Sequence, residues 1–228
     1  MPRQLSQRDE TLTGKQPVWD LPVRLFHWLL VGLIGFSWWS VKSHHVDWHI
    51  WSGIAILTLL LFRLMWGFVG SSTARWTNFI RGPRAVVDYL RGRWVGIGHT
   101  PLGGLSVVAM FLLMGTQVGL GLFNEDEDGL YAGPLANFLS PDTTEKIHEL
   151  HELNFKLLLG LIVLHIGAII YYRVRGKQLT MPMISGRGAT NPAAPPMRPG
   201  KWWIALICLG IALAISRWVV AGAPPFGS

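Results

Sequence analysis

Five stretches of the chain are apolar almost without interruption: residues 22–41, 48–69, 102–123, 151–172 and 202–220. At a rise of about 1.5 Å per residue, a helix of roughly 20 residues covers a hydrocarbon core of about 30 Å, so each stretch predicts one membrane span. A polar segment, Met1 to Asp20, precedes the first span. Asp20-Leu-Pro22 then supplies an N-cap and a first-turn proline. The apolar stretch that follows is too long for a signal peptide, and no small-residue cleavage site closes it. There is no internal repeat. The expected fold is an all-α integral membrane protein, a four-helix transmembrane bundle over residues 21–185 with a fifth transmembrane helix and a periplasmic tail over residues 202–228. Residues 186–201 read as a Pro/Gly-rich linker that is flexible and separates the fifth span from the rest.

Between the spans, positive charge is strongly one-sided. Arg3, Arg8, Lys15 and Arg24 precede or open the first span; Arg75, Arg81, Arg84, Arg91 and Arg93 lie between the second and third. Arg173, Arg175, Lys177, Arg187, Arg198 and Lys201 lie between the fourth and fifth, while the opposite side carries little beyond Lys42 and Lys146. Lys and Arg accumulate on the cytoplasmic side. The expectation is a bacterial inner-membrane protein with its N-terminus in the cytoplasm and its C-terminus in the periplasm. Pro83 to Arg91 has Arg on one side and Val, Leu and Tyr on the other, which suits a short helix lying in the interface. The outer loop from Glu125 to Asp128, with Asp142 and Glu145 beyond it, reads either as a solvated loop or as a docking patch for a cationic partner.

Composition narrows the class. Of 228 residues 50% are hydrophobic and 14% charged, against roughly 25% charged in soluble domains, which excludes a disordered chain and an ordinary soluble enzyme. The net charge of +7 sits beside apolar runs, so it reads as membrane orientation and not as a nucleic-acid groove. Cys208 is the only cysteine, which excludes an internal disulfide, a Cys-ligated iron–sulfur cluster and covalent haem attachment. No catalytic triad or phosphate loop occurs, and His148-Glu-Leu-His151 is one residue short of a zinc-protease helix.

The histidines carry the chemistry. Of eight, His27 and His165 lie within spans, and His49 and His151 open them. Ionisable side chains inside a membrane are costly and point to function. His151 and His165 are fourteen residues apart; that spacing advances about 21 Å and returns to within about 40° of the same helix face. Alternating topology puts His27 level with His165 near the cytoplasm, and His49 level with His151 near the outside. Two histidines facing across a bundle are the axial ligands of a six-coordinate b-type haem, so two haem b are expected. A single membrane histidine reads as a hydrogen-bonded imidazole; four at paired depths do not. His148 lies near the face of His151, and spacing alone does not separate the two. Gly32, Gly35, Gly53, Gly160 and Gly167 suit a flat macrocycle against the backbone, or close helix packing, the commoner use of such residues.

Phe26-His27-Trp28, His49-Ile-Trp-Ser-Gly53 and His151-Glu-Leu with His165 following together resemble the prokaryotic cytochrome b561 family. Val18 to Trp28 and Gly98-His99-Thr-Pro101 also look like the cytochrome b subunits of nickel–iron hydrogenases. The resemblance spans roughly residues 18 to 185. It implies a four-helix bundle with two b haems that exchanges electrons with quinone, with His27 paired to His165 and His49 to His151. It also favours His151 over His148. The fifth span departs from that pattern.

The remaining candidates are weaker. Arg24, Arg63, His99 and Lys156 are candidate contacts for haem propionates or quinone. For the three cations, snorkelling to lipid headgroups is the competing reading; for His99 it is capping of the third span. His44 and His45 read as solvated or as proton relays, and Trp38, Trp39, Trp48 and Trp51 as an outer aromatic belt. The expected function is electron transfer between ubiquinone or menaquinone and a periplasmic c-type cytochrome. Its rivals are a hydrogenase-like subunit serving a periplasmic dehydrogenase, and a haem-free anchor or transporter.

Overall fold

A computed structural model describes residues 15–125, 130–191 and 193–224. Arg3, Arg8, most of the acidic run 125–128 and the last residues of the expected periplasmic tail lie outside the described residues. In chain order the elements are β1 (Gln16–Pro17), α1 (Leu21–Lys42), α2 (Val46–Val69), α3 (Trp76–Phe79), α4 (Pro83–Leu90), α5 (Pro101–Leu122), a 3-10 turn (Ala136–Phe138), α6 (Pro141–Val174), α7 (Thr180–Ser185), β2 (Arg187–Gly188) and α8 (Trp202–Val220). Five of these helices, α1, α2, α5, α6 and α8, are long and apolar enough to cross a membrane.

The helix starts follow from local chemistry. Asp20 accepts a hydrogen bond from the Val23 amide at 2.8 Å, and Thr100 accepts one from Gly103 at 3.1 Å, each ahead of an early proline. The second Asp20 oxygen accepts from the Trp66 indole at 3.0 Å, tying the start of α1 to the end of α2. α6 departs from expectation at its outer end. It begins at Pro141, with Ser140 in the N-cap position and its hydroxyl turned to that of Thr143, and runs for 34 residues. Its first turns are polar, so they escape a hydropathy reading while continuing the helix outward.

Among the described residues the interior has three apolar centres. The middle of the bundle packs Ile56 and Leu60 of α2, Met114 and Val118 of α5 and Leu158 of α6, with Leu30, Leu33 and Ile34 of α1 beside them. A second centre joins α1 and α2 to Cys208 and Ala212 of α8. A third, at the outer end, joins Val219 and Ala223 to Leu135, Leu122 and Phe123.

The fifth helix is therefore packed onto the bundle. The segment before it is also pinned. The Arg198 amide donates to the Ser72 hydroxyl at 2.9 Å, and the Ser72 amide donates to the Arg198 carbonyl at 3.0 Å. The Thr58 hydroxyl of α2 meets that of Ser216 on α8 at 2.8 Å. The C-terminal end of the Pro/Gly-rich segment is thus held by partners far away in sequence, and the fifth span lies against α2. At the end of the bundle where α1 begins, β1 pairs antiparallel with β2, and the Val18 and Trp19 amides both donate to the Gly186 carbonyl. Gly186 has φ +81°, in the left-handed region that glycine adopts without strain.

Candidate functional site

His49 sits in the first turn of α2, facing the end of α1. Its Nδ1 lies 2.9 Å from the Ser37 hydroxyl and 3.1 Å from the Ser37 carbonyl. A carbonyl only accepts, so Nδ1 carries the hydrogen and Nε2 keeps its lone pair. Across the bundle, the His151 ring on α6 has its centroid 6.1 Å from that of His49, with the planes 84° apart. His148 turns elsewhere, its Nδ1 3.3 Å from Asn124 Oδ1. Two features that sequence reading missed set the His151 ring in place. Asn154 donates to the Leu113 carbonyl at 2.9 Å and to Gln117 Oε1 at 2.7 Å, locking α6 to α5 within a turn of His151. Gly121 of α5 lies against the ring, where even a Cβ would stand 3.2 Å from His151 Cε1.

About 15 Å along α1 from Ser37 lies His27, its ring edge-on to Trp28 at 4.9 Å. His165 of α6 is close enough to act on it electrostatically, and on His99 as well. His99 is set between Trp19 and Phe79, each 4.6 Å away by ring centroid. Burial, reinforced by the charges of Arg63 and His165, pushes its pKa down to about 3, so it stays neutral around neutral pH. Arg63 is 3% exposed, its guanidinium 4.5 Å from the Trp76 ring centre and 5.7 Å from that of Phe79. Arg24 Nη1 donates to the Ile184 carbonyl, which joins α1 to α7. Lys156 lies apart from both levels, exposed and 3.6 Å from Glu152 one turn away.

Several buried nitrogens at these two levels have no hydrogen-bond partner: Nδ1 of His27, His99 and His151, Nε of Arg24 and Nη1 of Arg63. Buried polar atoms are almost always satisfied, so their clustering marks a place built for another group. Haem b fits this donor set, because neutral imidazoles bind its iron and cations or neutral N–H groups bind its carboxylates. An imidazole nitrogen binds a first-row metal at about 2 Å, which puts two rings flanking one ion roughly 6 Å apart, the spacing of His49 and His151. The glycines fit as well. A Cβ on Gly32, Gly35, Gly53, Gly160 or Gly167 would meet no atom within 4 Å, so open space lies beside them and close packing within this chain is not their use. Among the described residues no three His, Cys, Asp or Glu side chains gather to hold a bare metal ion.

No curated protein and no solved structure matches the chain. The family model described as prokaryotic cytochrome b561 matches residues 18–186, from the approach to α1 through α7. That family binds haem, which removes the reading of a haem-free anchor. The five apolar helices, the imidazole levels and this match lead to one conclusion: the chain belongs to the prokaryotic cytochrome b561 family and is a multi-pass membrane protein that binds haem b and transfers electrons.

Proposed function

We propose that this chain holds two haem b, one between His49 and His151 and one between His27 and His165, and moves electrons across the bacterial inner membrane between the quinone pool and a periplasmic c-type cytochrome. The observation that carries this is the pair of rings 6.1 Å apart at one level, with a second histidine pair, His27 of α1 and His165 of α6, at another level between the α1–α2 hairpin and α6. When bound, haem supplies a one-electron couple. The chain's own part is to position, neutralise and insulate. His49 is held as its Nδ1–H tautomer by Ser37, and Asn154 and Gly121 hold the place of His151. Arg63 Nη1 and His99 Nδ1, both buried and free, are suited to propionate or quinone oxygens at the cytoplasmic level, with Arg24 beside them. Lys156, paired with Glu152, belongs to the outer surface. The packed layer around Leu158, which is 1% exposed, keeps water out of the space between the levels.

The orientation, with the N-terminus in the cytoplasm and the C-terminus in the periplasm, rests on the placement of Lys and Arg. A second reading is favoured by the hydrogenase-like residues around Trp19 to Trp28 and His99. In it the chain anchors a periplasmic dehydrogenase and passes its electrons to quinone. The test is direct. Purified protein should give a dithionite-reduced b-type spectrum and two haems per chain, and quinol should reduce them. Reoxidation by a c-type cytochrome supports the first reading; reduction by an outer dehydrogenase supports the second. One haem per chain, or none, overturns the two-level assignment.

A further inference from the structure

The two histidine levels are not chemically equal. Of the four imidazoles, His49 has its Nδ1 held by both the hydroxyl and the carbonyl of Ser37, at 2.9 and 3.1 Å. Among the described residues, Nδ1 of His27 is buried with no partner and no hydrogen bond reaches His165, while His151 faces the Gln117 backbone without a full hydrogen bond. Ser37 is itself buried on α1, and Ser40, one turn on, donates its hydroxyl to the same Ser37 carbonyl at 2.8 Å. The serine is thus fixed on both sides, on a span where a hydroxyl has no water to turn to.

An imidazole whose distal N–H is hydrogen-bonded becomes a more basic ligand and favours the more positive state of its metal. We propose that Ser37 is a positioning residue that makes the outer histidine pair the stronger donor set, so that a haem held by His49 and His151 has the lower midpoint potential of the two. An electron shared between the levels then rests on the inner one. The proposal depends on the two-haem reading above and adds to it an ordering of the sites and the residue responsible.

Potentiometric titration of the purified protein, followed by the b-type absorbance, tests it. Ser37→Ala should keep both haems and raise the potential of one, changing the oxidised-to-reduced ratio at fixed ambient potential by at least threefold, about 28 mV at 59 mV per tenfold for one electron. Ser37→Thr, which keeps the hydroxyl, should restore the wild-type value. Adding Ser37→Ala to His49→Ala, which holds only the inner haem, should leave the remaining potential unmoved. A variant with two haems and unchanged potentials, or a shift that persists in the His49→Ala background, overturns the proposal. If Ser37→Ala loses the outer haem, Ser37→Cys takes its place, and its outer haem must still titrate higher than wild type. Wild-type protein with fewer than two haems overturns the two-haem reading itself, an outcome that no Ser37 variant is needed to detect.

Discussion

A neutral imidazole has one lone pair to offer, and the contact at its other nitrogen decides where it points. Four residues here are arranged around that choice, and each has its own expected outcome. His49→Ala or His151→Ala should remove one haem, His27→Ala or His165→Ala the other, and His148→Ala neither; haem-to-protein ratios check all five. His148 supplies the internal control because it already has a partner in Asn124. Arg63→Gln keeps a donor but removes a buried charge, and should lower the potential of the inner haem without changing haem content, read by the same redox titration. Part of this was legible in the sequence. Depth and helical spacing bring His49 to His151, as the coordinates also do. Ser37 was not legible, because a serine in a span is unremarkable until its partner twelve residues on is seen to fold back against it across the hairpin. Gly121 and Asn154 were missed for the same reason: their meaning lies in the helix opposite.

At the scale of elements, punctuation was the readable part. Asp20, followed by Pro22, announced the start of α1, whereas the Thr100 cap of α5 emerged only from the coordinates. The outer extension of α6 was hidden, because Asp142 to Glu149 is polar and hydropathy stops counting where the membrane stops, while the backbone hydrogen bonds continue. The placement of α8 was hidden more deeply. A Pro/Gly-rich run signals freedom, but two hydrogen bonds between Ser72 and Arg198, one of them to the serine hydroxyl, and the Thr58–Ser216 contact hold its end and the helix that follows. Losing that hydroxyl pair through Ser216→Ala should cost about 0.6 kcal/mol, typical of side-chain hydrogen bonds within membranes, with haem content unchanged; unfolding in detergent measures it. Leu158→Ala is the harsher change, since truncating a fully packed leucine costs roughly 2–5 kcal/mol. The same thermal measurement should show a clear drop, with both haems still bound before melting.

The whole molecule is organised by charge and by apolar thickness. Basic side chains gather at the ends where α1 begins, where α2 gives way to α5 and where α6 gives way to α8. A periplasm-active reporter enzyme fused after Ser228 should therefore be active, and the same reporter fused before Met1 silent; the reverse pattern would overturn the assigned orientation. Architecture at this scale was the most legible feature of all, because five spans need only length and hydropathy to be seen. How the bundle closes on itself required the coordinates.

The leucine, isoleucine, methionine and valine layer around Leu158 has an electrical consequence. Tunnelling needs no water, but a proton does, and among the described residues the side chains of this layer are apolar, while the Thr58 hydroxyl beside them is already engaged with Ser216. Under the proposed transfer between two haem levels, charge that passes this depth travels uncompensated, and the membrane behaves as a capacitor that the protein loads. Each electron driven against 100 mV does about 2.3 kcal/mol of work. A difference in redox free energy between the two faces is thereby stored as voltage.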